Sequence, residues 1–235
     1  MPTISSSGQK SIDTMHWVSW ADQDYVAARI LLLTGLAVQG ATLACTALEK
    51  YLKAVCTISG VPCENVGHDV SKLNGMLHHR TIPLQLNVKF LRFLDKAYKL
   101  RYPEELTPGF NIALNSIATL VELDTTVHVV RNGFSFRRND NGVTTKLEEG
   151  LKNRAQELLT KNCALAGIDK KQLFAEPSWS YDLRVMPDGT ILEASYVVSR
   201  LLDEHNFTRI AFEPIHGSQG KSFKLGWPPQ PPDKN

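Results

Sequence analysis

The chain has 235 residues, of which 43% are hydrophobic, and this is enough for one main core with a small extension. Its 26 Lys and Arg residues against 24 Asp and Glu residues give a formal net charge of +2, which excludes binding of nucleic acid through overall basic charge. No apolar run approaches the roughly 20 residues of a membrane helix, and the first residues lack the apolar segment of a secretory signal, so we expect a cytoplasmic protein.

Two long amphipathic helices are predicted at the start of the chain. The first covers residues 13–35, with Asp13 as its N-cap and Gly35 as its stop. The second covers residues 40–59 and ends before Gly60, because glycine tolerates the left-handed conformation that commonly closes a helix.

Four more helices are indicated by apolar residues at helical spacing, and they cover residues 68–80, 90–100, 111–134 and 145–166. The first of these begins at His68 or Asp69, where a helix start needs a side-chain acceptor. The second ends near Leu100, because Pro103 disfavours helical geometry at Tyr102. The chain is therefore predicted to be mainly helical, with a bundle over residues 13–166.

Beyond residue 166 the pattern becomes that of strands. Apolar residues alternate over 179–185 and again over 192–198 on either side of a Pro-Asp-Gly turn, which predicts a β-hairpin in a small α+β extension at 167–227. The alternative is a helix that begins with a capping box of Thr190 and Glu193 and runs to His205. The clean alternation of the first strand favours the hairpin. Residues 228–235 are rich in proline and predict an extended, mobile tail.

Four segments together resemble the HEPN family: W-x-x-W-A-D-Q-D-Y-x-x-A-R from Trp17, A-L-E-K-Y-L-K-A from Ala47, G-H-D-V-x-K-L from Gly67 and L-D-K-A-Y-K-L-R-Y-P from Leu94. The resemblance covers residues 13–138. It implies an up-and-down bundle of four or five helices, frequently a homodimer, in proteins tied to RNA cleavage, nucleotide binding, or toxin and defence systems.

Active members of that family carry an arginine near the end of the last core helix and a histidine after four to six further residues. Arg131 and Asn132 match the start of this motif, but the positions for the histidine hold Phe136, Arg137 and Arg138. The resemblance therefore implies a protein without the family's usual ribonuclease activity. Similar spacings occur outside the matched helices, where chance accounts for them, at Arg200 with His205 and at Arg209 with His216.

A polar cluster is predicted on the helix at 111–134, since Asp124, His128 and Arg131 follow one another at helical spacing. As a catalytic site, His128 acts as a general base, Arg131 holds a phosphate and Asp124 orients the imidazole. The alternative is that the three groups satisfy one another at the edge of the bundle or across a dimer interface.

Two groups of residues are candidates for binding a nucleotide or RNA, through arginine forks on phosphate and rings that stack on bases. The first group is Lys50, Lys53, Arg101 and Tyr102, and the second is Arg131, Asn132, Arg137 and Arg138, beside Phe134 and Phe136. The alternative for the first group is solvated charge around a packed turn.

The remaining charged residues are expected to be structural. Glu49 and Lys53 have the spacing of an ion pair on the exposed side of the second helix. Asp24 lies on the apolar side of the first helix, so we expect a basic partner such as Lys53 or Arg101 to neutralise its carboxylate in a structural ion pair. The four cysteines contain no C-x-x-C spacing, and His68, His78 and His79 lack the spacing of a helical zinc site, so no metal or other cofactor is predicted.

Three functions follow from these predictions. The first is a HEPN-domain protein, as a homodimer, that binds nucleotide, RNA or a protein partner without cleaving RNA. The second is a metal-independent endoribonuclease of toxin or defence type that uses Arg131 with His128, or Arg200 with His205. The third is a non-catalytic dimerisation scaffold whose hairpin recruits a partner by edge pairing.

Overall fold

A computed structural model describes residues 7–80, 82, 84–135, 137–138, 141–142 and 144–199. The α-helices in this part of the chain are α1 (Gln9–Leu33), α2 (Ala37–Ser59), α3 (Val70–His79), α4 (Val88–Tyr98), α5 (Ser116–Arg131), α6 (Lys146–Lys152), α7 (Gln156–Leu159) and α8 (Lys170–Phe174). The strands are β1 (Asn111–Asn115), β2 (Arg137–Arg138), β3 (Asn141–Gly142), β4 (Ser178–Val185) and β5 (Ile191–Val198). Two 3₁₀ turns, Lys99–Arg101 and Pro103–Glu105, follow α4. The protein is mainly helical with a small β part, which confirms the predicted fold class.

Helices α1 and α2 form a tight hairpin that two glycines allow. Gly35 adopts φ +84°, and the backbone N–H of Leu36 donates to the Leu31 carbonyl at 2.9 Å, as in a Schellman motif. At Gly40, an added Cβ would lie 2.6 Å from Cγ of Leu32, so only glycine permits this approach of the two helices. The predicted stops at Gly35 and Gly60 are confirmed, while α1 begins at Gln9 rather than at Asp13.

The short third helix and the fourth helix agree with their predicted ranges. The side chain of Asp69 caps α3 by accepting from the Lys72 N–H at 2.7 Å, which confirms one of the two predicted starts. Asn87 caps α4 in the same way by accepting from the Phe90 N–H at 3.3 Å. Helix α4 ends at Tyr98 and continues as 3₁₀ turns through Pro103.

A strand replaces the start of the long helix predicted at 111–134, so that prediction is wrong over its first five residues. Strand β1 pairs antiparallel with β4, with Ile112 opposite Leu183 and Leu114 opposite Tyr181. Its alternating burial suits a strand, and the pairing partner lies far along the chain, so local helical spacing could not reveal it. The side chain of Asn115 then caps α5.

The helix predicted at 145–166 is also wrong, because the chain breaks it into α6 and α7. Thr145 and Glu148 form a capping box at the start of α6. Arg154 then adopts φ +53°, which ends helical geometry and folds the next segment back. Leu158 packs so closely on Gly150 that an added Cβ there would lie 2.7 Å from its Cδ1.

The predicted hairpin is confirmed by β4 and β5, which pair antiparallel from Ser178 opposite Val198 to Val185 opposite Ile191. The alternative helix from Thr190 is therefore wrong. The sheet has the order β1-β4-β5, so it joins a strand from within residues 13–166 to the hairpin. Predictions for residues 200–235, including the proline-rich tail and the pairs Arg200 with His205 and Arg209 with His216, lie outside the described residues.

A single group of buried apolar side chains joins the helices to the sheet. It contains residues of α1, α2, α4 and α5 and also Leu173, Phe174, Leu183 and Val185 from the segments beyond residue 166. Among the described helices, none is long and apolar enough to cross a membrane.

Candidate functional site

Two buried ion pairs join α1 to α5. Arg131 Nε donates to Asp22 Oδ1 at 3.2 Å, and Arg29 Nη1 donates to Asp124 Oδ2. In each helix the acid precedes the arginine by two helical turns. The acid of each helix pairs with the arginine of the other, because the two helices run in opposite directions. The pairs are therefore reciprocal, and they fix the alignment of α1 against α5 inside the core.

A buried tyrosine completes each ion pair. Tyr51 donates its hydroxyl hydrogen to Asp22 at 2.5 Å, and Tyr25 donates to Asp124 at 2.8 Å. Burial raises the pKa of both phenols well above their ordinary value, so they remain donors. Burial also raises the pKa of Asp124 to about 6, against the opposing effects of Arg29 and Tyr25.

Arg131, predicted as a catalytic and binding residue, is held at all three guanidinium nitrogens. Its Nε donates to Asp22, and its Nη1 donates to the Phe134 carbonyl at 3.3 Å. Its Nη2 donates to Thr145 Oγ1 and Glu148 Oε1, both at 2.9 Å. Its side chain is only 7% exposed. Arg131 thus ties α5 to the start of α6 as well as to α1.

His128 and Asn132 lie at the open end of the same helix. The Asn132 amide contacts the imidazole at 2.9 Å, next to a cleft of about 190 Å³ that Phe134 and Leu151 also line. The carboxylate of Asp124 is occupied by Tyr25 and Arg29, so the predicted orientation of His128 by Asp124 is wrong. Helical spacing placed these residues on one helix but could not assign their partners from other helices.

A second cluster lies on the surface formed by α2, the loop before α3 and the end of α4. The Glu49 carboxylate contacts Nδ1 of His68 at 2.5 Å, and the His68 ring stacks on Tyr98 with centroids 4.5 Å apart. Arg101 Nη1 donates to the Tyr98 hydroxyl at 2.9 Å, and its guanidinium carbon lies 5.7 Å from the centroid of Tyr102. We name these five residues the Tyr98 platform.

Within the platform, a buried acid orients an exposed base. The Glu49 side chain is 6% exposed, whereas that of His68 is 52% exposed. Because Glu49 engages Nδ1, the other ring nitrogen, Nε2, is directed away from the carboxylate. Asp69 provides the cap of α3, so the predicted role of His68 at the helix start is not needed.

The predicted lysines flank the platform. Lys53 and Glu49 form the predicted ion pair at 2.6 Å, but on a buried rather than an exposed side of α2. Asp24 pairs with Lys50 at 2.6 Å, which confirms the expected basic partner, although this partner is neither Lys53 nor Arg101. Lys53 is held by Glu49 instead.

The predicted binding residues thus separate into two places. Arg101 and Tyr102 belong to the Tyr98 platform, Lys53 pairs with its Glu49, and Lys50 follows Glu49 on α2, while Arg131 and Asn132 lie at the end of α5. Arg137 and Arg138 form strand β2, which pairs with β3 beyond α5. Among the described residues, no group of three or more His, Cys, Asp or Glu could hold a metal ion.

Several residues of these clusters were missed from the sequence alone. Asp22 and Arg29 repeat the seven-residue spacing of Asp124 and Arg131, and this repetition was the available signal. Glu49, His68 and Tyr98 each lie in a segment that carries the family resemblance. Spacing along the chain could not show that the three segments converge.

Comparison with known proteins agrees with this architecture. The HEPN domain family matches residues 14–127, a segment that includes the Tyr98 platform and ends just before His128. No curated protein and no solved structure gave a match. Residues 14–127 of this chain therefore match the HEPN domain model, which supports a nucleotide- or RNA-related or ribonuclease-type function at the level of the family.

Proposed function

We propose that this HEPN-domain protein binds a nucleotide unit, either free or within an RNA strand, at the Tyr98 platform, and that it lacks the usual ribonuclease activity of its family. The main support for this proposal is the exposed guanidinium of Arg101, which lies against the rings of Tyr98 and Tyr102. Arginine held on aromatic rings is suited to phosphate, because its planar fork stays oriented while other N–H groups remain free to donate.

The neighbouring residues support a nucleotide rather than a bare anion. The ring of Tyr102 is 40% exposed and offers a stacking surface for a base of a bound strand. His68 adds an exposed ring nitrogen beside Tyr98. Lys50 and Lys53 are neutralised by Asp24 and Glu49, so they contribute less charge to the ligand than the sequence suggested.

The lack of the usual activity is supported by the state of Arg131. A phosphate would have to displace the hydrogen bonds of its guanidinium to Asp22 and Glu148, at a cost of several kcal/mol for a buried pair. Among the described residues, the side chain that contacts the His128 imidazole is the neutral amide of Asn132, and no carboxylate is hydrogen-bonded to it.

The proposal is tested by binding and cleavage measured together. Fluorescence anisotropy of a short labelled single-stranded RNA, in EDTA, should show binding that falls at least about tenfold in Arg101→Ala. Arg92→Ala is the matched control, because Arg92 is an exposed arginine on α4 away from the platform. Equal affinities of the two variants would contradict the proposed site.

A metal-independent endoribonuclease of toxin or defence type is the second candidate. It is favoured by the position of His128 at a cleft that Arg131 and Asn132 also line. Incubation of wild type, His128→Ala, Arg131→Ala and His205→Ala with mixed RNA in EDTA distinguishes the two. Intact RNA in every lane supports the binding protein, whereas cleavage lost in one variant would establish the nuclease.

We also propose that the protein acts as a cytoplasmic homodimer. Exposed apolar side chains on the hairpin support an interface there, and they include Trp179, Ile191, Tyr196 and Val197. The same edge could recruit a different protein, as the scaffold hypothesis predicts. Light scattering after gel filtration should give the mass of a dimer for wild type and of a monomer for Val197→Lys. A monomeric wild type would contradict the homodimer.

A further inference from the structure

A cavity of about 440 Å³ separates the helical bundle from the hairpin. Its walls come from the start of α2 at Val38, from the turn after α4 at Leu100 and Pro103, and from the hairpin at Leu183 and Ile191. We name it the hairpin cleft. Its volume lies in the range of small-molecule sites, and its walls are mostly apolar, as such sites usually are.

One face of the sheet supplies the polar groups of the hairpin cleft. Leu183 is paired with Glu193, and Val185 with Ile191, so side chains two residues apart along β4 and β5 share this face. Tyr181 and Glu193 are the polar residues of the lining. They sit among apolar walls, where a few polar groups decide which ligand fits.

Glu193 is held in place as a hydrogen-bond acceptor. The Tyr181 hydroxyl donates to Oε2 of Glu193 at 2.8 Å. Burial and the contact with Glu193 raise the pKa of Tyr181, so its hydroxyl keeps its proton. Oε1 of Glu193 accepts no hydrogen bond from the described part of the chain, and no described cation pairs with this carboxylate. The hairpin cleft therefore offers an exposed carboxylate that Tyr181 orients and that can accept from further donors.

The hairpin cleft and the Tyr98 platform meet at a single turn. Leu100 and Pro103 line the cleft, and Arg101 and Tyr102 lie between them in the chain. The same turn therefore contributes to both places, as recognition of a ligand with a planar, partly apolar ring and an attached phosphate would need. The exposed ring of Tyr102 is then available to stack on the neighbouring base of a longer strand.

We propose that the hairpin cleft selects guanine, and this inference rests on the proposed function. Guanine presents two donors on one edge, its N1–H and its 2-amino group, and a carboxylate accepts both in a bidentate arrangement. Adenine presents an unprotonated ring nitrogen at the corresponding position, which the carboxylate repels. The ligand is a guanine nucleotide whose base lies against Glu193 and whose phosphate lies on Arg101.

Isothermal titration of the full chain with GMP, AMP, CMP and UMP tests the selection. We expect GMP to bind at least about tenfold more tightly than AMP, since a good bidentate contact discriminates by about that factor or more. Glu193→Gln should lower the affinity for GMP about tenfold and leave that for AMP unchanged. Tyr181→Phe should cause a smaller loss for GMP, because the carboxylate loses the group that orients it.

Glu104→Gln is the matched control, because it removes the same charge from an exposed position of the adjacent turn outside the cleft lining. We expect it to leave the preference for GMP intact. Unchanged circular dichroism of Glu193→Gln shows that a lost preference does not arise from misfolding.

The outcomes separate the two proposals. If all four nucleotides bind equally, fall together in Arg101→Ala and ignore Glu193→Gln, guanine selection is overturned while the proposed function stands. If neither the four nucleotides nor labelled RNA binds, the proposed function itself fails, and the guanine inference fails with it.

Discussion

Two carboxylates in the core, Asp22 and Asp124, control how this protein responds to substitution and to pH. Each accepts from one arginine and one tyrosine on a neighbouring helix. A buried ion pair contributes little net stability, because removing both charges from water offsets most of their attraction. Its effect is on alignment, since sliding α1 by one turn against α5 would break both ion pairs inside the core. We interpret these residues as the device that specifies helix register.

Substitution of Asp124 by Asn should change the pH dependence of folding. The folded pKa of Asp124 is about 6, above its ordinary value of 3.8. Between these values the folded state binds a proton that the unfolded state has lost, so rising pH weakens folding. Asn does not titrate. The free energy of unfolding of wild type minus that of Asp124→Asn should therefore fall from pH 4 to pH 7, by about 3 kcal/mol at most.

Urea unfolding at a series of pH values measures that difference. Asp188→Asn gives a control of opposite sign at lower pH, because hydrogen bonds from Thr190 lower the pKa of the exposed Asp188, so its contribution to stability rises with pH up to its ordinary value of 3.8 and is nearly constant above it. A difference for Asp124→Asn that stays flat across the window would mean that Arg29 fully compensates the burial of this carboxylate.

Removal of the Arg131 side chain should destabilise the protein rather than only affect a ligand. Arg131→Ala leaves Asp22 buried beside Tyr51 without its cation, which typically costs about 3–5 kcal/mol. Arg92→Ala, at an exposed position, should cost less than about 0.5 kcal/mol. Chemical denaturation of the two variants gives both numbers. Equal stabilities of the two variants would mean that Arg131 is not needed for folding and is free for catalysis.

At the scale of elements, most helices followed from local pattern, and the exceptions have specific physical causes. Gly35 and Gly60 ended their helices as predicted, because the left-handed conformation they supply is a local property. Strand β1 was mistaken for helix because its partner β4 is distant in the chain. The break at Arg154 could not be predicted from the sequence, because arginine rarely adopts positive φ and the residue type gives no local indication of it.

The contact between the α1–α2 pair and the β-sheet can be tested by substituting Gly35. An added Cβ there would overlap the indole of Trp179, with Cγ of that ring only 2.7 Å away, in a backbone conformation of φ +84°. Gly109 has φ +86° with nothing within 4 Å of the same atom, so Gly109→Ala should show the backbone cost alone, about 1–2 kcal/mol. Gly35→Ala should cost about 1–3 kcal/mol more, because Trp179 must move.

Thermal and urea unfolding of both glycine variants test this difference. Equal losses would mean that Trp179 moves aside freely and that the sheet is only loosely held against α1 and α2. A larger loss for Gly35→Ala would show that the indole is part of the fold, although it is 47% exposed.

At the scale of the molecule, the sequence predicted the HEPN domain and the hairpin but not how they touch. The resemblance was carried by segments that contain Asp22, Glu49, His68 and Arg101. In the structure Asp22 accepts from Tyr51, Glu49 contacts His68, and Arg101 donates to Tyr98. The spacing of residues within one helix cannot show such convergence between helices. The hairpin cleft was missed for the same reason, since its walls come from three separate parts of the chain.

The shared core predicts that the bundle and the hairpin unfold together, although the sequence predicted a separate extension after residue 166. Leu183 on β4 is 3% exposed and belongs to the same buried group as the helices. Leu183→Ala should cost about 2–5 kcal/mol. It should lower the urea midpoints of helical circular dichroism and of Trp179 fluorescence by the same amount, because a single cooperative unit has one transition; the fluorescence is measured in a background where Trp17, Trp20 and Trp227 are replaced by Phe, so that it reports on β4. Leu192→Ala, at an exposed site of β5, should shift neither midpoint noticeably. Fluorescence that changes before the helical signal would instead show that the hairpin is an independent unit, and the cleft between them would then be open to large motions.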